Sequence, residues 1–365
     1  MDIKISNNIL VGHKQRPIIV AEISGNHEGS KKKFLEHIVR AKKAGADMVK
    51  IQTYEASDIT IKSYKKNFLV SEGIWKKKAL WDLYEEAHTP FSWHADAFRL
   101  GRKLKIPIFS TPFSERSLNF LSKFNPPIYK IASFEITDVS LIKSIAQKNK
   151  PIIISTGLSN FSEIDNAIKI VKKYHKKIII LYCVSGYPTP EKESNISTVI
   201  TFQKKYKNFL IGISDHTNDI NSSLAAVALG AKVIEKHFKI SDKIKSLDSK
   251  FSINFNQLKE LKIKSEKIFF TLGKPKLRIK NSEKKIFFLR RSIFAKKDVF
   301  VNNRLTKKNI ITKRPKIGIG AEYYFKILGK KIKKNIKKNQ PIYKKDLINF
   351  IGPLFILQNI SIPFF

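Results

Sequence analysis

Cysteine is almost absent: Cys183 is the only one in 365 residues, so no disulfide can form within the chain. That usage fits a reducing compartment, and a cytoplasmic setting is expected. Long apolar runs are also missing. None reaches the roughly 18 residues that a membrane span needs. The nearest, FIGPLFILQNISIPFF, is interrupted by Pro353, Pro363 and polar residues, so no membrane partner is expected. The N-terminus, MDIKISNNIL, lacks a basic stretch followed by an apolar one, which argues against a signal peptide. Acidic residues are few, 30 against 70 basic ones, and the formal net charge is +40.

A charge of that size raises the question of nucleic-acid or anionic-membrane binding. Only ten of the basic residues are arginine, the better bidentate reader of phosphate. The lysines are spread along the whole chain and form no basic arm. Lys, Ile, Asn and Phe are all abundant and all have A- or T-rich codons, so the charge reads as compositional bias, and no nucleic-acid partner is expected. Hydrophobic residues make up 42% of the chain, enough for a large buried core. The length suits one large domain plus a small one.

From residue 17 to about 240 the sequence alternates between short β-branched apolar runs and amphipathic stretches. The runs at 17–24, 47–54, 107–113, 128–133, 151–157, 177–185, 209–216 and 232–238 read as eight strands. Between them lie helices such as KKKFLEHIVRAKKAG, ending at Gly45, and INSSLAAVALG, ending at Gly230. Near-continuous apolar strands alternating with helices imply a parallel sheet covered on both faces. Eight units in about 250 residues imply a closed (β/α)8 TIM barrel. A doubly wound open sheet is the weaker alternative, since no Gly-x-Gly-x-x-Gly opens a helix after the first strand.

The expected organisation is a barrel over 1–271, a basic linker over 272–290, a small β-rich domain over 291–347 and a tail of unknown role over 348–365. Residues 55–91 form an insertion after the second strand, too long for an idle loop.

Every strand run finishes in polar residues. Glu22, Lys50, Gln52, Ser110, Thr111, Lys130, Ser133, Ser155, Thr156, Ser185, Ser214, Asp215, His216, Glu235, Lys236 and His237 all lie at or near strand ends. In a barrel these ends converge on one mouth, where active sites sit. Strand ends also meet solvent, so a lone Ser or Thr there carries little weight. Lys50 and Lys130 carry more, because each interrupts an apolar strand and an inward lysine is costly without an anion. His216 and His237 end adjacent strands, which lie about 4.8 Å apart. Both imidazoles can therefore reach one ion. Two nitrogens without cysteine suit an open site, with Mn²⁺, Co²⁺ or Mg²⁺ as candidates. Together these groups suggest a metal-assisted reaction of a phosphorylated small molecule with a carbonyl compound.

The stretches AEISGNHEGS, KAGADMVKIQTY, FSTPFS, YKIASFEITD, ISTGLS, YPTP, IGISDHT and GAKVIEKHF resemble the motifs of the sialic acid synthase family, in that family's order, over about 17–255. RRSIFAKKDV onward, to about 347, resembles the antifreeze-like (SAF) domain that follows the barrel in those enzymes. GIWKKKALWDLYEEAHTPFSWHADAF, KIASFE, Ser185 to Pro188 and SLDSKFS are similar to the family's pseudaminic acid branch.

The resemblance implies a transferase that condenses phosphoenolpyruvate with an open-chain amino-sugar aldehyde, releasing phosphate by C–O cleavage. It implies that Lys50, Thr111, Lys130, Ser133, Ser155 and Ser214 hold phosphoenolpyruvate. His216 and His237 would hold the metal, and Glu22 would act on water or a hydroxyl near the forming bond. Gln52, Glu135, Tyr187 and Asp248 would contact the sugar. Arg314, from the partner subunit of a domain-swapped homodimer, would reach its N-acetyl group. The second domain departs from the family at Phe300 to Arg304 and at Asn339. Three alternatives stay open: a synthase acting on N-acetylmannosamine, an inactive ligand-binding homologue and, from the charge alone, a basic nucleic-acid-binding protein.

Overall fold

The computed structural model describes residues 2–349, so most of the tail lies outside the described residues. The chain divides into two compact units, one ending at Lys274 and the other beginning at Pro275.

The first unit opens with an antiparallel hairpin, β1 (Asp2–Ser6) and β2 (Ile9–Gly12), additional to the eight apolar runs. Eight parallel strands follow: β3 (Ile18–Glu22), β4 (Met48–Thr53), β5 (Ile108–Pro112), β6 (Tyr129–Ile131), β7 (Ile152–Ser155), β8 (Ile178–Cys183), β9 (Leu210–Asp215) and β10 (Val233–His237). They close into a barrel in sequence order, with β10 pairing β3. Each strand lies within one of the eight apolar runs.

The helices outside this barrel follow from local chemistry. In α1 (Lys31–Ala44), Phe34, Ile38 and Ala41 face the core; Ser30 caps its start, and Gly45 at φ +95° ends it. The insertion carries α2 (Ala56–Ile59) and α3 (Leu80–Ala87). Helices α4 (Phe91–Leu104), α5 (Glu115–Ser122), α6 (Val139–Gln147), α7 (Phe161–Lys172), α8 (Thr198–Lys205), α9 (Asn221–Ala228) and α10 (Phe255–Leu272) complete the ring.

Strand parity sorts the side chains. Ile19, Ala21, Val49, Ile51, Ile211, Ile213 and Ile234 face the helices and join the large outer core. Ile18, Val20, Met48, Phe109, Ile128, Ile153, Ile179, Leu181, Leu210 and Val233 fill the lower barrel interior. The hairpin's Ile3, Ile5, Ile9 and Val11 belong to that same cluster, so the hairpin closes the floor.

The second unit has an antiparallel pair, β11 (Ser292–Ala295) and β12 (Ile310–Lys313), with isolated bridges around a core that includes Ile293, Leu305, Ile332 and Ile342. Asn302 and Asn339, at the two turns that depart from the family pattern, both sit at φ +66°. Asparagine tolerates that left-handed conformation.

Candidate active site

Above the apolar floor, the same inward parity continues into polar residues: Glu22 after Val20, Lys50 and Gln52 after Met48, Thr111 after Phe109, Lys130 after Ile128 and Ser155 after Ile153. On the next strands Cys183 follows Leu181, Ser214 follows Gly212, and Glu235 and His237 follow Val233. A polar layer therefore lines the mouth, and most of it is buried.

The Lys50 ammonium lies 2.8 Å from Glu22 Oε2 and 3.3 Å from Glu235 Oε1. Burial works against its charge, but the two carboxylates outweigh that and hold its pKa above the usual range. Lys130 donates to Ser155 Oγ at 2.6 Å, and its nearest carboxylate oxygen is Glu235 Oε1 at 3.8 Å. Burial pulls its pKa down. Lysine cations in this barrel were expected to need an external anion; instead the chain supplies part of the countercharge through Glu235. Burial pushes the Glu22 carboxyl up to about 7, although Lys50 opposes the shift. Ser214 Oγ donates to Glu235 at 3.2 Å, and Ser133 Oγ accepts the Gly157 N–H at 3.0 Å.

The imidazoles of His216 and His237 lie 5.3 Å apart between centroids. His216 Nδ1 hydrogen bonds the Val184 carbonyl at 2.9 Å, which in the neutral imidazole puts the lone pair on Nε2. Asp248 Oδ2 accepts the Gly25 N–H at 3.0 Å and lies 3.9 Å from His237 Nδ1. Burial raises the pKa of Asp248 and takes that of Glu135 to about 7. Glu135 sits in the turn after β6.

Buried polar atoms without a hydrogen-bond partner gather here: Glu22 Oε1, Thr111 Oγ1, Glu135 Oε2, Glu235 Oε2 and His237 Nδ1. Orphans of this kind are rare in folded proteins, and a cluster of them marks a place built for ligand or water. The orphaned His237 nitrogen, beside a His216 whose other nitrogen is engaged, fits a two-imidazole metal site completed by substrate and water. Among the described residues no three His, Cys, Asp or Glu side chains form a metal-holding group.

Not every polar strand end joins the mouth. Lys236 and Asp215 have the opposite parity and form a buried ion pair of 3.0 Å toward the helices, with Ser223 and Thr217 bonded to Asp215. The Ser110 hydroxyl donates to the Ile51 carbonyl and pairs with Thr53. Arg314 lies exposed after β12, in the second unit. Sequence reasoning reads Glu235 only as a polar strand end and Cys183 only as the lone cysteine, although two positions back from His237, or two forward from Leu181, reach the mouth. Cys183 Sγ lies 3.9 Å from His216 Nδ1.

The insertion contributes to the mouth. The Trp75 indole N–H donates to the Leu247 carbonyl at 3.2 Å, and its ring lies 5.7 Å from Tyr187 and 6.0 Å from Phe251. Tyr84 of α3 packs edge-on against Tyr54, centroids 6.0 Å apart.

Known proteins share this architecture and sequence. The chain is 37% identical over 333 residues to a pseudaminic acid synthase of Campylobacter jejuni, covering 91% of this chain and 97% of that protein. It is 38% identical over 336 residues to a pseudaminic acid synthase of Helicobacter pylori, covering 91% and 98%. The crystal structure of an N-acetylneuraminic acid (sialic acid) synthetase of Leptospira borgpetersenii superposes with a TM-score of 0.71 at 31% identity, covering 78% of this chain and 95% of that one. Residues 290–348 match the SAF domain. Residues 37–276 match the NeuB family, and the chain belongs to that family.

Proposed function

We propose that the barrel mouth joins phosphoenolpyruvate to 2,4-diacetamido-2,4,6-trideoxy-altrose, making this chain a pseudaminic acid synthase. Carbon 3 of the enol attacks the aldehyde carbon, water adds at carbon 2, and phosphate leaves by C–O cleavage to give a nonulosonic acid. One observation carries the reading. Two lysine ammoniums reach Glu235, two residues and so about 7 Å along the strand below His237. The site is thus layered, with a deep cationic level suited to a small anion under an outer place for a carbonyl. Similarity to pseudaminic acid synthases supports the choice of sugar.

Lys50 and Lys130, with the hydroxyls of Thr111, Ser133, Ser155 and Ser214, hold the phosphate and carboxylate of phosphoenolpyruvate. Glu22, with its carboxyl at about 7, takes or returns a proton near neutral pH and acts on the water or hydroxyl beside the forming bond. A divalent ion such as Mn²⁺, Co²⁺ or Mg²⁺, held by His216 and His237, supplies polarisation of the aldehyde when bound. Gln52, Glu135, Tyr187 and Asp248 line the sugar side. Arg314 reaches the sugar from the partner subunit of a domain-swapped homodimer. A cytoplasmic enzyme suits the lone cysteine, and no helix among the described residues is long and apolar enough to cross a membrane.

A second reading, N-acetylneuraminate synthesis from N-acetylmannosamine, is favoured by the similarity to the Leptospira structure. Incubation with phosphoenolpyruvate, metal and each sugar, reading phosphate release and product mass, tests both. Turnover of the diacetamido sugar supports the first reading and turnover of N-acetylmannosamine alone replaces it. No phosphate release with either sugar rejects the synthase assignment.

A further inference from the structure

Three aromatic rings at the mouth lie outside the three apolar clusters, although Phe251 is itself buried. Tyr187, Phe251 and Trp75 are absent from the outer core, the barrel floor and the core of the second unit. They extend from the histidines through tilted and edge-on contacts. Tyr187 lies 4.3 Å from His216, and Phe251 lies 4.8 Å from His237. Tyr187 and Phe251 are 5.1 Å apart. Trp75 covers both from farther out, on the insertion rather than on a barrel strand.

We propose that Trp75 is a specificity-determining residue: with Tyr187 and Phe251 it forms an apolar wall that receives a methyl-bearing end of the aldehyde substrate. The inference rests on the synthase reading of this site. Its warrant is the contrast between this wall and its surroundings. Glu22, Lys50, Gln52, Glu135 and Asp248 offer charge or hydrogen bonds elsewhere in the mouth. The wall offers little: Phe251 has no polar atom, the Trp75 N–H is already held by the Leu247 carbonyl, and the Tyr187 hydroxyl is engaged with Ser185. A hydroxyl turned toward these rings loses its water without replacement, whereas a methyl gains contact. The wall begins at the histidines and ends at Trp75, two rings out, so it runs along the substrate away from its aldehyde. Trp75 is half-buried, which leaves part of its ring open to a ligand. Two methyl groups could meet it, a deoxygenated terminal carbon or an acetamido methyl, and the test separates them.

The experiment measures phosphate release at saturating phosphoenolpyruvate and metal with two sugar pairs. One pair differs only in a 6-deoxy or 6-hydroxy terminus, the other only in a 4-acetamido or 4-hydroxy group. The intact chain is expected to favour the methyl-bearing member of one pair by about tenfold or more in kcat/KM, in line with what one methyl contributes in an apolar pocket. Trp75→Ala should bring that ratio close to one, mainly through KM. Trp75→Phe, which keeps an apolar ring but loses the bond to Leu247, should retain most of the discrimination. Equal damage by Trp75→Ala and Trp75→Phe would mean that the residue only anchors the insertion, and would overturn the inference. So would a wild-type chain that turns over every sugar without preference; the synthase reading would then survive. No turnover of any sugar by the wild type would remove both.

Discussion

Lys130 shows how function and stability part at a single residue. Its ammonium is fully buried, its pKa is pulled down by that burial, and its closest carboxylate oxygen is 3.8 Å away. A buried cation so weakly compensated contributes little to folding and can be replaced by an apolar side chain without loss. Lys130→Met is therefore expected to match or exceed the wild type by about 1–2 kcal/mol in denaturant unfolding without ligand. The same variant should lose about a hundredfold or more in phosphate release, and the stabilisation by phosphoenolpyruvate should vanish. Early unfolding of the Lys130→Met variant would show instead that the lysine is structural. Glu135 gives a pH signature. Burial raises its carboxyl from 4.5 to about 7, so across that window the folded state keeps a proton that the unfolded state has lost. Its contribution to stability is fully present below about 4.5 and is lost as pH rises through about 7. The stability difference between wild type and Glu135→Gln should therefore fall over this interval and level off above it. Urea melts across the window, without ligand, check this; a flat difference would contradict the burial of that carboxyl.

Barrel strands were the most legible elements, because fully buried parallel strands write themselves as unbroken β-branched runs. Helix ends at Gly45 and Gly230 were legible for a related reason: both residues sit at positive φ, where a side chain is strained. The hairpin escaped notice because its code is a weak alternation, with Ile3, Ile5, Ile9 and Val11 inward and polar or exposed residues between them. In the site, the lysines and histidines stood out against apolar neighbours. Glu235 did not, since it lies in a run of charged residues, and only strand parity separates its inward side chain from the outward one of Lys236. Parity also explains a tight spot between β9 and β10. A Cβ on Gly212 would lie 2.2 Å from the Val233 carbonyl oxygen and 2.7 Å from Leu181 Cδ2. One of these obstacles is backbone and cannot swing away. Gly212→Ala should cost about 3 kcal/mol or prevent folding, measurable as a lowered melting midpoint or loss of soluble protein. Near-native stability would mean that β9 and β10 can separate, and with them the strand ends that carry the two histidines.

At the scale of the whole molecule, the hairpin under the barrel has a kinetic consequence. Four apolar side chains from β1 and β2 merge with the barrel's interior floor, so among the described residues the lower end of the barrel beneath the lysine level is plugged. Whatever binds among Lys50, Lys130 and Glu235 must pass the histidines and the aromatic rings first. A passage with one doorway works as a queue: the first molecule in stands deepest, and a molecule parked at the doorway blocks the one behind it. Phosphoenolpyruvate should therefore load before the sugar. Initial rates should follow an ordered pattern, with excess sugar inhibiting at low phosphoenolpyruvate and not at high. A random pattern would mean that the deep layer can be reached by another route. The phosphate set free in the depth has the same doorway, and it can leave only after, or alongside, the larger product in front of it.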